Sequence, residues 1–207
     1  ELGWSQQIGL NSVRVFLHNL LWQQDSKGFL KRMDEFLAIA QQHHIGVTFV
    51  LFDSCWNPDP HLGKQPEPKP FVHNSGWVQS PGREMLAHPE RFAELKPYVQ
   101  GVISHFKNDP RIDMWDVFNE PDNNNTPAYV KLESAHKKDM AMILLQMTFA
   151  WAREVNPSQP LTSGVWLGPW ADPAKLSSME IVQLQNSDVI SFHNYGKLDD
   201  LKKCVEN

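Results

Sequence analysis

Short β-rich runs alternate with longer amphipathic ones along nearly all of this chain, and that alternation restricts its fold more than any other feature. Residues 11–18, "NSVRVFLH", set Val13, Val15 and Leu17 against Ser12, Arg14, Phe16 and His18, the period of a strand. "GVTFVLFD", from Gly46, is nearly all apolar, as expected when both faces are covered. "IDMWDVFN", "PLTSGVW" and "DVISFHNY" supply a third, fourth and fifth predicted strand. Between the first two, Phe29, Leu30, Met33, Phe36, Leu37 and Ala40 form one helical stripe, with Ser26 as its expected cap. Further helices are predicted over 89–108, with a kink at Pro97, over 130–155, over 178–184, and from about Asp199 onward. Strands alternating with helices require parallel βαβ units of right-handed sense.

Two α/β architectures meet that requirement, an open doubly wound sheet and a (β/α)8 barrel. A nucleotide-binding sheet needs a Gly-rich loop after its first strand, and "LHNLLWQQD" stands there instead. The strand ends read Arg14 to His18, Asp53 to Trp56, Asn119 and Glu120, Trp166, and His193 to Tyr195, polar or aromatic where a structural end needs only turn formers. Chemistry in a barrel gathers at those carboxyl ends, so the pattern favours the (β/α)8 TIM barrel.

Composition narrows the partners. The 207 residues carry a net charge of -5 with no basic cluster, which argues against nucleic acid and anionic membranes, and no apolar run is long enough to span a bilayer. Two cysteines, Cys55 and Cys204, imply no disulfide framework. Asp53, Asp59 and His61 lie near one another, but no His-x-x-x-His or Cys-x-x-Cys spacing occurs, so neither a metal nor another cofactor is expected. The start, "ELGWSQQIGL", has neither an initiator Met nor a signal-peptide pattern, and the chain is expected to begin inside something longer or after processing. Residues 54–83 form a long connection with two tryptophans on the side where a barrel carries its site; rings of that size argue against a floppy linker.

Glu120 closes an apolar strand beside Pro121, where partial desolvation should raise its pKa and suit it to general acid work. Asn119 offers an amide that can donate to and accept from a sugar hydroxyl; alternatively the pair caps the next helix. Arg14 either orients a catalytic carboxylate or pairs with Asp116. His193 and Tyr195 share one strand face, two hydrogen-bonding rings suited to a polyol. Trp56, Trp77, Trp166 and Trp170 fall where a ring could stack on a sugar, whereas Trp4, Trp22, Trp115 and Trp151 fit core packing.

Strand-ending "FNEP", the arginine of "VRVF" and "SFHNY" about seventy residues after "NEP" resemble the clan of retaining β-glycosidases with (β/α)8 barrels, closest to the cellulase- and mannanase-like family five. "FVLFDSCW", "HNSGWVQSPG" and "PLTSGVW" look like a bacterial subgroup commonly labelled 1,4-β-xylanase or cellulase. The resemblance implies one catalytic domain over 1–207, an incomplete barrel covering about strands two to six, with the first strand and the last two βα units absent. It implies Glu120 as acid/base, Asn119 on the sugar 2-hydroxyl, Arg14 steadying the nucleophile, and His193 and Tyr195 lining the cleavage subsite, with Trp56 and Trp166 as further substrate-binding residues. The nucleophilic glutamate is then expected beyond Asn207, and these residues alone should not turn over substrate. A non-catalytic carbohydrate-binding remnant is the alternative, and an open-sheet α/β protein in which "NEP" is coincidental is a third reading. The implied partner is a β-linked, plant-type 1,4-β glycan, and the implied location is secreted or periplasmic; oligomeric state is left open.

Overall fold

The computed structural model describes residues 1–168 and 172–206. In chain order the elements are α1 (Leu2–Gln7), β1 (Ser12–Phe16), α2 (Asn19–Gln24), α3 (Ser26–Gln42), β2 (Gly46–Val50), α4 (Arg83–Leu86), a 3-10 helix (Pro89–Leu95), α5 (Lys96–Phe106) and β3 (Ile112–Asp116). A 3-10 turn (Val130–Leu132), α6 (Lys137–Val155), β4 (Leu161–Thr162), a 3-10 turn (Pro173–Lys175), α7 (Ser178–Asn186) and α8 (Leu198–Glu206) follow. The four strands pair in parallel in the order β1-β2-β3-β4, an arc of a (β/α) barrel wall.

Strand parity decides which side chains enter the core between sheet and helices. Val13, Val15 and Leu17 pack against it, while Arg14 turns to the other face. On β2 both faces are covered: Val47, Phe49 and Val50 are buried, and Phe49 stacks on Trp115 of β3 at 5.9 Å between ring centroids. From α3 the buried stripe is Phe29, Met33, Leu37 and Ala40, spaced by three and four residues as a helix face demands.

Several local expectations change. The cap of α3 is Asp25, whose carboxylate accepts from the Gly28 N–H at 2.9 Å; Ser26 is already inside the helix. Pro97 stands in the first turn of α5, after a 3-10 segment, instead of kinking a longer helix, because a missing N–H costs nothing there. The third long helix begins at Lys137, seven residues later than predicted. Trp4 is 71% exposed, on a helix with no buried residue, so it is not a core ring.

The fifth predicted strand does not form. Its segment is held by one parallel bridge, Val165 to Phe192, with Val165 N–H donating to the Ser191 carbonyl at 3.0 Å and His193 N–H to the Val165 carbonyl at 2.8 Å. Side chains replace ladder bonds here: the Thr162 hydroxyl donates to the Val189 carbonyl at 2.7 Å, and Asp188 accepts from the Leu161 N–H at 2.8 Å. Among the described residues no helix is long and apolar enough to cross a membrane.

Leu37 is fully buried on the α3 stripe. Leu37→Ala should therefore cost about 2–5 kcal/mol of folding stability, read as a lower urea midpoint with an unchanged slope.

Candidate active site

Backbone pairing continues past the formal strand ends and builds the mouth of the sheet. Leu51 N–H donates to the Asp116 carbonyl at 2.9 Å, Asn119 N–H to the Phe52 carbonyl at 2.8 Å, and Ser54 N–H to the Asn119 carbonyl at 3.2 Å. Asp53 and Asn119 are thus bridged side by side, and Val117 N–H reaches Thr162 in the same way. His193 hangs from the bridge to Val165 and lies so close to Gly164 that a Cβ there would stand 2.9 Å from its Nε2. A cleft of about 370 Å³ opens over this mouth, and Arg14, Asn119, Glu120, His193, Tyr195, Trp56 and Trp166 all line it.

Glu120 is buried, in a left-handed conformation with φ +43°. One carboxylate oxygen accepts from His193 Nδ1; the other accepts from Asn123 Nδ2 at 2.5 Å and from the Cys55 thiol at 3.2 Å. Burial pushes this carboxyl up, but the three donors and the charge of His193 outweigh it, so its pKa lies below the usual glutamate value. That reverses the expected rise. The strand end desolvates Glu120 as anticipated, yet it also surrounds it with donors that local sequence does not reveal.

Asp53 behaves oppositely. It accepts from Asn119 Nδ2 at 2.7 Å, from Trp77 Nε1 at 2.6 Å and from the Cys55 N–H at 3.2 Å, yet burial dominates and its pKa is pushed up to about 6. Two buried carboxyl groups flanking one thiol are thereby driven apart, and the neighbouring negative charges, added to burial, hold Cys55 as a neutral thiol.

Arg14 forms the ion pair with Asp116 and also holds Asn119. It pairs with Asp116, through Nε at 3.1 Å and through its terminal nitrogen, and the same nitrogen donates to Asn119 Oδ1 at 2.8 Å. Both ends of the Asn119 amide are therefore held by protein, apart from a weak 3.5 Å contact to the Cys55 sulfur. His18 turns away to cap α2 and to donate to the Gln79 carbonyl at 2.9 Å. Trp166 donates to Asp122 at 2.8 Å, Trp77 packs edge-on against Phe16 at 4.7 Å, and Trp56 meets His73 at 5.4 Å. Tyr195 stays 83% exposed at the rim. Trp170 lies outside the described residues. Sequence reading passed over Cys55, Asn123 and Asn125; the only signal for the last two was the polar run "DNNNT", which reads equally as an ordinary turn.

A model of the family described as Glycosyl hydrolase family 10 matches residues 72–163. No curated protein sequence matches the chain. Among solved structures, the chain is similar to a beta-mannanase from the blue mussel Mytilus edulis, at 16% identity and a TM-score of 0.56, covering 96% of this chain and 62% of that one. A beta-1,4-D-mannanase from Cryptopygus antarcticus aligns at 12% identity and a TM-score of 0.60, over 95% and 60% of the two chains. A beta-glucosidase designated 1317 gives 11% identity and a TM-score of 0.62, over 93% and 53%. The chain spans just over half to about three-fifths of these proteins, and they establish its fold as part of a (β/α)8 barrel. The resemblance holds at the level of the clan. Its narrower assignment to family five is not supported, since the matching family is family 10. Short strand-end motifs answer to the shared barrel mouth and cannot separate families built on it.

The Asp53 shift has a defined sign. An aspartate raised from 3.8 to about 6 by folding contributes stability that is complete below 3.8 and is lost as pH rises through 6. Two units correspond to about 3 kcal/mol. The stability of the wild type relative to Asp53→Asn should fall by up to that amount between pH 4 and pH 7 in urea titrations; a flat difference would show that Asp53 is not raised.

Proposed function

We propose that this chain is the greater part of a retaining β-glycoside hydrolase domain acting on β-1,4-linked oligo- or polysaccharide, with Glu120 as its acid/base. The observation that carries the reading is the convergence of Glu120, His193 and Asn119 with tryptophans in one cleft over the carboxyl ends of parallel strands. The family match and the mannanase neighbours support the substrate class.

Glu120 as found suits the base half of such a reaction, where an ionised carboxylate takes a proton from water. His193 and Asn123 orient its two oxygens. The acid half needs the carboxyl protonated, and a second carboxylate at about 5 Å would raise it by like-charge repulsion while itself attacking the anomeric carbon. Asp53, the other carboxylate lining the cleft, is fixed by three donors. We therefore assign the attack to chain beyond residue 207. A sugar 2-hydroxyl would take the Asn119 N–H now spent weakly on Cys55, leaving the bonds to Asp53 and Arg14 intact.

In the complete enzyme, Glu120→Gln should lower kcat on an unactivated β-1,4-oligosaccharide by about 10²–10⁴. Glu120→Ala given azide should yield a β-glycosyl azide from an aryl β-glycoside, because the small anion needs no general base and retention preserves the configuration. Unchanged hydrolysis in both variants would overturn the assignment of Glu120. Sugar binding without turnover in any form of the protein would favour a non-catalytic carbohydrate-binding role.

A further inference from the structure

Behind the cleft wall, away from Glu120, three donors converge on one buried oxygen. Glu133 Oε1 accepts from Lys137 Nζ at 2.6 Å, from Asn125 Nδ2 at 2.6 Å and from Gln79 Nε2. Lys137 also donates to the Ser54 carbonyl at 2.7 Å, and both members of the ion pair are almost fully buried, at 5% and 6% side-chain exposure. The hub therefore joins the connection after β2, the loop after β3 and the start of α6.

It reaches the cleft mainly through Asn125, which also bonds Trp56 at both backbone groups, and more weakly through Gln79, whose Nε2 donates to the Trp56 carbonyl at 3.3 Å. Trp56 N–H donates to Asn125 Oδ1 at 3.1 Å, and Asn125 Nδ2 donates to the Trp56 carbonyl at 2.6 Å. A side-chain amide here replaces a β-bridge partner. Trp56 needs such a hold, because it sits at φ +72°, a region that bulky L-residues rarely adopt. Asn125 itself sits at φ +68°, where asparagine is among the tolerated residues. Glu133 accepts from the Asn125 amide and so fixes which end of it faces which Trp56 group.

We propose that Asn125 and Glu133 are positioning residues for substrate binding: Glu133 orients the Asn125 amide, and Asn125 locks the Trp56 backbone so that its ring stands as a wall of the cleft. The inference rests on the glycosidase reading for the identity of the sugar, though not for the existence of the clamp. Neither residue touches the reacting atoms, so their effect belongs in binding and not in the chemical step.

The test uses Asn125→Gly, which tolerates the left-handed backbone, and Glu133→Gln, which keeps an oxygen for Lys137. The Trp56 indole N–H signal, assigned with Trp56→Phe, should shift or broaden in both variants, while that of Trp115, buried and bonded to Gln159, stays put. Titrated with mannotetraose and cellotetraose in a Glu120→Gln background, both variants should bind about tenfold more weakly. In the complete enzyme, with Glu120 intact, KM for an aryl β-glycoside should rise about tenfold with kcat within about twofold of wild type. An unmoved Trp56 signal, unchanged affinity, or a loss confined to kcat each overturns the proposal. If the parent protein binds neither sugar, the glycosidase reading falls and the substrate role falls with it; the Trp56 signal still reports the clamp, so the two failures read differently.

Discussion

The cleft depends on a backbone pairing that outlasts its strands. Regular parallel ladder between β2 and β3 ends at Val50 and Asp116, but donors and acceptors keep meeting through Asn119 and Ser54. That extension brings Asp53 beside Asn119 and sends the next residue, Glu120, over the mouth. Buried backbone groups must be paired, so the apolar run of Phe52, Val117 and Phe118 forces the ladder to continue for as long as its side chains stay in the core. Polar chemistry then begins where the apolar residues end, at Asp53, Asn119 and Glu120, which are themselves buried.

On this frame, desolvation and hydrogen bonding compete with different outcomes at two carboxyl groups that flank one thiol. Asp53 and Glu120 each receive three donors, and both are buried. Burial prevails at Asp53, where every donor is neutral; at Glu120 the donors prevail, and they include an imidazole whose charge adds to its hydrogen bond. Asp116 sits deeper still and is compensated by the Arg14 guanidinium. The interior face of the sheet is thus a chain of paired polar groups, Asp116 to Arg14 to Asn119 to Asp53, and its outer end holds the indole of Trp77.

Much of this was legible because strand parity is a two-residue rule that local sequence states outright. It turned Arg14 away from Val13 and Val15, and the strand-end positions of Glu120, Trp56 and Trp166 brought them to one cleft. His193 and Tyr195 reached that cleft although their strand did not form, since one bridge at Phe192 suffices to hang the segment. What stayed hidden involved partners distant in sequence. The sign of the Glu120 shift depends on His193, seventy-three residues away, and on Cys55, sixty-five away. The Asp25 cap was missed for a local reason: Asp and Ser are adjacent and both cap well, so only backbone geometry separates them.

Left-handed backbone gathers where the cleft is built. Among non-glycine residues, Trp56, Asn74, Glu120 and Asn125 all have positive φ and all line the cleft, whereas His44 and Asn156 sit at helix ends, where that conformation is routine. A non-glycine residue there costs about 1–3 kcal/mol and persists only when its surroundings over-determine it. The surroundings do so at three of the four. Glu120 is held by three side-chain donors, Asn125 by Trp56, Thr126 and Glu133, and Trp56 by the Asn125 amide. Phe71, also left-handed but wholly exposed on the long connection, marks the contrast, for nothing buried fixes it. Strain at the cleft is thus matched by polar bonds that a relaxed loop would not need, as expected if selection acted on the direction of the Glu120 carboxylate and the Trp56 ring more strongly than on the stability of the loops that carry them.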